Sequence, residues 1–187
     1  MEIAVALNAF APYRTNRSRY TLRLMSSPPH TLKVWLSTLP WEIQEGLNDV
    51  PPAALEAHDT GMLFKHATPE PLHYWISRVQ VDLDVAFYSA SREMVSVGAI
   101  TRDPRVDAMC PNAQYVLEVA KGAWKALGGP GCRFTLDTRG EEELLLRDRI
   151  ENDVIAPLVQ RLKQEKLSKT QRMSLLHELG IYIPLTA

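Results

Sequence analysis

The sequence predicts a mainly β fold followed by a helical C-terminal extension. Up to about residue 137, short runs rich in Val, Ile, Tyr, Phe and Trp alternate with clusters of Pro, Gly and Ser, which is typical of strands joined by turns. After Gly140, apolar residues recur every four positions, as on one face of a helix. Many short strands at this spacing indicate a barrel or a sandwich, and 187 residues can bury a core without disulfides or metal.

The predicted strands are short and separated by turn residues. The separators include Pro28-Pro29, Pro51-Pro52, the Pro69-Glu70-Pro71 stretch and the glycine-rich segment 128–131. The predicted strands span residues 2–7, 20–25, 31–37, 61–64, 73–79, 84–88, 94–101, 114–119 and 132–137.

Two short helices are predicted among the strands. The first covers residues 40–46, where Pro40 suits a first turn and Gly46 suits the end of a helix. The second covers residues 120–127 and ends at Gly128.

Two further helices are predicted in the C-terminal extension. The first begins at the acidic run 141–143 and ends in basic residues, an order that suits the helix dipole. Pro157 lacks the N–H that a helix interior needs, so we expect a kink or a split there. The second spans about residues 170–179, with Ser168 and Gln171 spaced as in a capping box and Gly180 at its end.

Charge and cysteine content exclude several classes of function. The 21 basic and 22 acidic residues give a net charge of −1, so no global field attracts nucleic acid or an anionic membrane. Cys110 and Cys132 do not form a C-x-x-C unit, which argues against a zinc site and against a secreted disulfide framework. We expect reduced thiols, although one bridge between them is compatible with the spacing.

The N-terminus does not have the pattern of a signal peptide. Glu2 stands where such a segment has a basic residue, and Asn8 interrupts the apolar run. No stretch reaches the ~18 to 20 apolar residues of a membrane-spanning helix. The sequence therefore predicts a cytoplasmic protein or a component of a virus particle, with no role for a membrane.

Residues 31–137 resemble an uncharacterised family, the domain of unknown function one-nine-two. The resemblance implies a small, closed or nearly closed β-barrel and no established activity, and members are typically exported behind a signal or a lipoprotein anchor. It rests on these landmarks: Val34-Trp35-Leu36-Ser37-Thr38, Glu42, Gly46-Leu47, Gly61-Met62-Leu63-Phe64, Tyr74-Trp75-Ile76, Leu83-Asp84-Val85-Ala86-Phe87, Met109-Cys110-Pro111, Tyr115-Val116-Leu117-Glu118-Val119, Gly122, Trp124 and Gly131.

Several polar positions depart from the family pattern. Members commonly have Arg where this chain has Glu45, and Lys-Asn-Thr where it has residues 77–79. They commonly have Pro where this chain has Asp82. Apolar landmarks persist because buried volume dictates a fold, whereas polar groups dictate a site. We therefore expect a retained barrel over residues 31–139, with what is specific to this protein in an N-terminal arm (1–30) and a C-terminal extension (140–187).

Catalytic and metal sites are weakly indicated. Asp82 and Asp84 would share one face of a strand and could hold a divalent cation, but the apolar residues between and around them favour a solvated strand edge. His66 and His73, with His58, are close enough in sequence to share a site, and Cys110 is the best candidate nucleophile. A hydrolase using these residues is one alternative function.

The two termini carry the candidate partner-binding residues. An arginine cluster with two aromatics is suited to phosphate and base contacts, and equally to protein carboxylates or solvent. The apolar helix face in the extension must pack either on its own barrel or on another chain. The candidate residues are Arg14, Arg17, Arg19, Tyr20, Leu146, Ile150, Val154, Leu158, Leu162, Leu176 and Leu179.

These patterns together predict a non-catalytic interaction or assembly component. Its partner is a protein or a second copy of the chain, and a virus particle or another large complex is one setting for it. We expect no cofactor, no metal and no catalytic residue. The alternatives are the hydrolase and a nucleic-acid-binding accessory protein that uses the arginine cluster.

Overall fold

The computed structural model describes residues 19–48, 50–55, 59–76, 78–103, 106–157, 159–160, 168, 170–171 and 174. Backbone contacts divide the chain into two compact units: residues 17–145 form one, and residues 1–16 with 146–187 form the other. The predicted strand 2–7 and most of the predicted helix 170–179 lie outside the described residues.

Seven strands in the described residues form one curled sheet. The sheet order is β5-β4-β6-β3-β2-β1-β7, and every pair of neighbours is antiparallel except β2 and β3. The two outermost strands approach each other at an isolated bridge between Glu93 and Arg133. The predicted mainly β, nearly closed barrel is therefore confirmed. The strands are β1 (Tyr20–Leu24), β2 (His30–Ser37), β3 (Thr60–Tyr74), β4 (Leu83–Tyr88), β5 (Met94–Ile100), β6 (Ala108–Ala120) and β7 (Phe134–Leu136).

The parallel β2–β3 pair requires a crossover, because parallel strands cannot be joined by a tight turn. The crossover contains helix α1 (Pro40–Glu45) and a 3₁₀ turn, Pro52–Ala54. The Glu42 carboxylate accepts hydrogen bonds from the backbone N–H groups of Thr38 and Leu39, which lie at the start of α1. Gly46 ends the helix with φ 54°, as the sequence predicted.

The main core fills the concave face of the sheet. Alternate residues of the strands point into it, so Leu22, Val34 and Leu117 are fully or almost fully buried. Phe134 packs edge-on against Tyr88 and Tyr115, with ring centroids 5.0 and 5.3 Å apart. Burial of these side chains explains why the apolar alternation of the sequence predicts the strands.

The sequence prediction for β3 and β6 was wrong in its boundaries. Residues 61–64 and 73–79 were expected as separate strands around a proline turn, but β3 runs for 15 residues through both prolines. The register with β6 shifts between Lys65 and Glu70, so Pro69 lies in a bulge where no ladder hydrogen bond is needed. The Gln114 amide donates to the carbonyls of His66 and Ala67 and so satisfies the bulged backbone.

Beyond this bulge, β3 and β6 continue as a two-stranded ribbon. The ribbon comprises residues 70–74 of β3 and 108–113 of β6. It folds over the convex face of the sheet, where a Cβ atom on Gly98 would lie 3.1 Å from the Ala108 Cβ. Tyr74 packs there against Phe64 and Phe87, at centroid distances of 5.2 and 6.2 Å. The central strands are therefore covered on both faces.

Two helices follow β6. Helix α2 (Ala123–Ala126) is shorter than the predicted 120–127 because Ala120 still belongs to β6. Helix α3 (Thr138–Ile150) begins earlier than expected, since the Asp137 carboxylate accepts the backbone N–H of Gly140 and serves as its N-cap. Burial alone would raise the pKa of Asp137, but hydrogen bonds from Gly140 and Thr21 outweigh it and lower the pKa.

The chain after α3 departs from regular helix close to Pro157. Residues Glu151–Ile155 form a π-helical turn, in line with the disruption expected from a proline that cannot donate a backbone hydrogen bond. The capping box is confirmed as well. Ser168 N–H donates to the Gln171 side chain, and Gln171 N–H donates to Ser168 Oγ.

Candidate functional site

Asp82 and Asp84 do not form a shared acidic site. Asp84 is only 6% exposed. It accepts a hydrogen bond from the backbone N–H of Gly122 at 2.8 Å and forms an ion pair with Lys121 Nζ at 3.0 Å. Asp82 instead accepts the backbone N–H of Arg102. The expectation of a solvated strand edge was wrong for Asp84, because β4 lies between two neighbouring strands and Asp84 stabilises the turn after β6.

His66 lies in the β3 bulge and is hydrogen-bonded through both ring nitrogens. Its Nδ1 is 2.8 Å from Glu70 Oε1, and its Nε2 is 2.8 Å from the Tyr74 hydroxyl. Burial lowers the pKa of His66, although Glu70 acts in the opposite direction. The imidazole is therefore neutral near pH 7, so one nitrogen donates to Glu70 and the other accepts from Tyr74. This arrangement secures the bulge at the base of the ribbon.

The other candidate catalytic residues are dispersed. His73 is half-exposed on the ribbon and pairs with Asp107. Cys110 is a buried free thiol whose Sγ contacts the Asn112 carbonyl, and Cys132 is an exposed free thiol. Within the described part of the chain, no three His, Cys, Asp or Glu side chains are placed to hold a metal ion. His58 lies outside the described residues.

Some of the candidate partner-binding residues are exposed and others are buried. The Arg19 guanidinium lies 4.6 Å above the Trp35 ring, whereas Tyr20 belongs to the core. Leu146 is exposed, and Ile150 and Val154 are partly buried. The remaining candidates lie outside the described residues: Arg14, Arg17, Leu158, Leu162, Leu176 and Leu179.

The ribbon carries an exposed apolar surface that sequence reasoning missed. This ribbon face consists of His73, Trp75, Asp107 and Met109. His73 pairs with Met109 across the strands, hydrogen-bonds to Asp107 and stacks at a tilt on Trp75, with centroids 5.5 Å apart. Trp75 is 66% exposed and Met109 is 67% exposed. The strand alternation that buries Leu72 and Cys110 on the inner face of the ribbon turns His73 and Met109 outward, and Trp75 and Asp107 flank them just beyond the strand ends.

Glu118 is the second functional candidate that the sequence did not single out. It lies on β6, on the convex face of the sheet, and is 5% exposed. Burial raises the pKa of Glu118 to about 8. No described residue donates a hydrogen bond to its carboxyl group or forms an ion pair with it. The available signal was an acidic residue within an otherwise apolar strand sequence, Tyr115-Val116-Leu117-Glu118-Val119.

Comparison with known families identifies the scaffold. The profile of domain of unknown function 192, described as "Uncharacterized ACR", matches residues 22–135, which is more than half of the chain. The chain belongs to this family. The resemblance seen in the landmark residues is thereby confirmed, and the family itself has no characterised activity. No curated protein matches the chain.

Two solved structures share the fold of this family member. One, from Sinorhizobium meliloti 1021, carries the provisional description of a transcription regulator. It is 25% identical with a TM-score of 0.56, over 66% of this chain and 98% of that chain. The other is a protein of unknown function from Novosphingobium aromaticivorans DSM 12444. It is 21% identical with a TM-score of 0.55, over 70% of this chain and 96% of that chain.

None of the described helices is long and apolar enough to cross a membrane.

Proposed function

We propose that this DUF192 protein is a non-catalytic interaction component that binds a protein partner through the ribbon face. The observation that carries the proposal is the position of Trp75 and Met109. They are the most exposed large apolar side chains among the described residues, and His73 lies between them. Burying such a side chain contributes about 1.5–3 kcal/mol.

The composition of the ribbon face favours a protein partner. Trp and Met are enriched where proteins bind one another, and buried aromatic residues dominate the binding energy of many interfaces. The face contains no Lys or Arg, so it offers no charge to a phosphate backbone or an anionic membrane. The His73–Asp107 pair gives the apolar surface a polar contact that can specify orientation.

The termini extend the same proposal. Arg19 and Leu146 are exposed, and together with the other candidate residues of the arm and the extension they supply further contacts within a larger assembly. Such an assembly is either a self-association or a complex with a different protein. A virus particle is one such complex.

The test compares the full chain with variants that change one exposed apolar side chain each. Trp75→Ala and Met109→Ser alter the ribbon face, and Met25→Ala, at an exposed position between β1 and β2, is the matched control. Each tagged protein is purified from its native source after cross-linking, and the captured partners are quantified by mass spectrometry. We expect the captured amount of one protein, or of an additional copy of the chain, to fall at least tenfold with the first two variants and to stay unchanged with the control. Equal capture by all the proteins would refute the proposal.

A nucleic-acid-binding function is the second candidate. The provisional description of the Sinorhizobium protein favours it, and Arg19 stacked on Trp35 offers the combination of charge and aromatic surface that single strands require. Salt-dependent retention of the full chain on single-stranded DNA is the assay. Retention that is unchanged when Arg14, Arg17 and Arg19 are all replaced by Ala would exclude this use of the arm.

A further inference from the structure

Glu118 occupies the centre of the convex face of the sheet. The strand registers place it in one row across the sheet, between Met62 of β3 and Val85 of β4, with Trp35 and Gly98 farther out. Both immediate neighbours are apolar and fully buried. Within the sheet, Met62 and Val85 therefore flank Glu118 on its two sides.

Two segments cover this row. The first follows α1, where a Cβ atom on Gly46 would lie 3.6 Å from the Phe64 ring, one row away from Glu118. The second leads from Tyr74, which packs on Phe64, to Leu83, which pairs with Ala120. The rows of Phe64 and Ala120 lie on either side of the row of Glu118.

The two covering segments are joined by polar contacts at the surface. The backbone N–H of Arg78 donates to Asn48 Oδ1 at 3.0 Å. The Arg78 guanidinium donates to Glu45 Oε1 at 3.3 Å, in an exposed ion pair. Exposed pairs of this kind contribute little to stability.

A buried carboxyl group without a partner is costly, and buried polar side chains in folded proteins nearly always have one. Glu42, the other buried glutamate among the described residues, accepts two backbone N–H groups and illustrates the ordinary case. Glu118 accepts none from the described residues. A ligand that brings its own N–H donors would supply the missing contacts.

We propose that Glu118 anchors a binding site for a cation on an alkyl stem, an alkylammonium or alkylguanidinium group. The ammonium or guanidinium hydrogens would meet the ionised carboxylate, and the methylene groups would pack against Met62 and Val85. An ion pair with direct hydrogen bonds is the arrangement that offsets the desolvation of both charges.

Ligand binding at this site releases a proton. Burial keeps the carboxyl group protonated at neutral pH, since its pKa is raised to about 8. The cation requires the ionised form, so affinity rises about tenfold from pH 6 to pH 7. The charged groups on the described parts of the covering elements are Glu42 and Glu45 of α1, Arg78 and Asp82, and no histidine is among them.

The probes are n-butylguanidinium, n-butylammonium and Nα-acetyl-arginine methylamide, titrated into the full chain. Binding is followed by ¹³C NMR of the Glu carboxyl signals and by calorimetry in two buffers with different enthalpies of ionisation. We expect saturable binding, close to one proton released per cation bound and the tenfold gain between pH 6 and pH 7. Binding of the arginine derivative would indicate a protein side chain as the natural ligand, whereas binding of only the free cations would indicate a small molecule.

The variants separate this site from general surface charge. Glu118→Gln replaces a neutral acid by a neutral amide of the same shape, and we expect a folded protein whose affinity falls at least tenfold. Glu118→Met is the second variant should the amide perturb folding, and Glu142→Gln on the exposed side of α3 is the control. The proposal is overturned by absence of saturable binding of all three probes, by wild-type affinity in Glu118→Gln, or by binding without proton release. None of these outcomes bears on the ribbon face.

Discussion

The Arg92–Glu141 ion pair joins α3 to the barrel, so Arg92→Met is an informative perturbation. The Arg92 guanidinium donates two hydrogen bonds to the Glu141 carboxylate, at 2.5 and 2.7 Å, in bidentate geometry. It also lies 5.7 Å from the centroid of Tyr115 and 5.5 Å from that of Phe134. Methionine keeps the apolar stem against these rings and removes only the charge and the donors.

The expected loss follows from these contacts. A hydrogen bond to a charged group contributes about 1.5–3 kcal/mol, but the side chains of this pair are 22% and 36% exposed, and solvent screens part of the interaction. Glu141 keeps a weaker bond from the Leu136 N–H at 3.4 Å. We therefore expect the free energy of unfolding to fall by about 2 kcal/mol, and the midpoint of thermal unfolding by roughly 4–8 °C.

Urea unfolding of the full chain at pH 7 measures the change, with Arg139→Met as the control because Arg139 is an exposed arginine of the same helix whose guanidinium lies 5.8 Å from the Tyr20 ring centroid. The difference in the free energy of unfolding between the wild type and Arg92→Met also depends on pH. The hydrogen bonds from Arg92 lower the pKa of Glu141, so the stabilisation is complete above the unfolded-state pKa of about 4.3 and is lost as pH falls through the folded-state pKa. A loss below ~0.5 kcal/mol at pH 7, or a loss of equal size at pH 2.5, would refute the reasoning.

Three further predictions concern single contacts, each measured by urea unfolding. Gly98→Val should destabilise by about 1–3 kcal/mol because of the Ala108 Cβ, and adding Ala108→Gly should restore part of the loss; no rescue would argue against the close packing of the ribbon. Asp84→Ala should cost about 1–3 kcal/mol by leaving the Gly122 N–H without its acceptor, and a cost as small as that of Asp82→Ala would contradict this role. Glu118→Met should leave the free energy of unfolding nearly unchanged at pH 4 and raise it at pH 8. The raised pKa of Glu118 makes the wild-type folded state lose stability as pH rises from about 4.3 toward 8, and the variant lacks this group. An effect independent of pH would exclude a buried, unpaired carboxyl group.

Of the candidate site, the sequence alone identified little. Asp82 and Asp84 attracted attention because of their spacing, but spacing cannot reveal that Asp84 is enclosed by neighbouring strands and bonded to the turn after β6. Glu118 was visible only as an acid in an apolar run. Whether such a residue faces solvent, a partner or nothing depends on which strands flank it and what covers them.

Local chemistry was sufficient for much of the fold. The apolar alternation predicted most of the strands because each buries one face, and Pro40 with Gly46 fixed α1 through constraints on their own backbone. Ser168 and Gln171 predicted a capping box for the same reason, since its hydrogen bonds span only three residues.

Long-range pairing decided the rest. The prolines of β3 predict a turn by their local preferences, yet pairing with β6 and the Gln114 amide carry the strand through a bulge and fold the ribbon over the convex face. That fold leaves Trp75 and Met109 exposed on either side of His73. A sequence records the preferences of each segment, whereas exposure and proximity arise only when residues far apart in the chain come together.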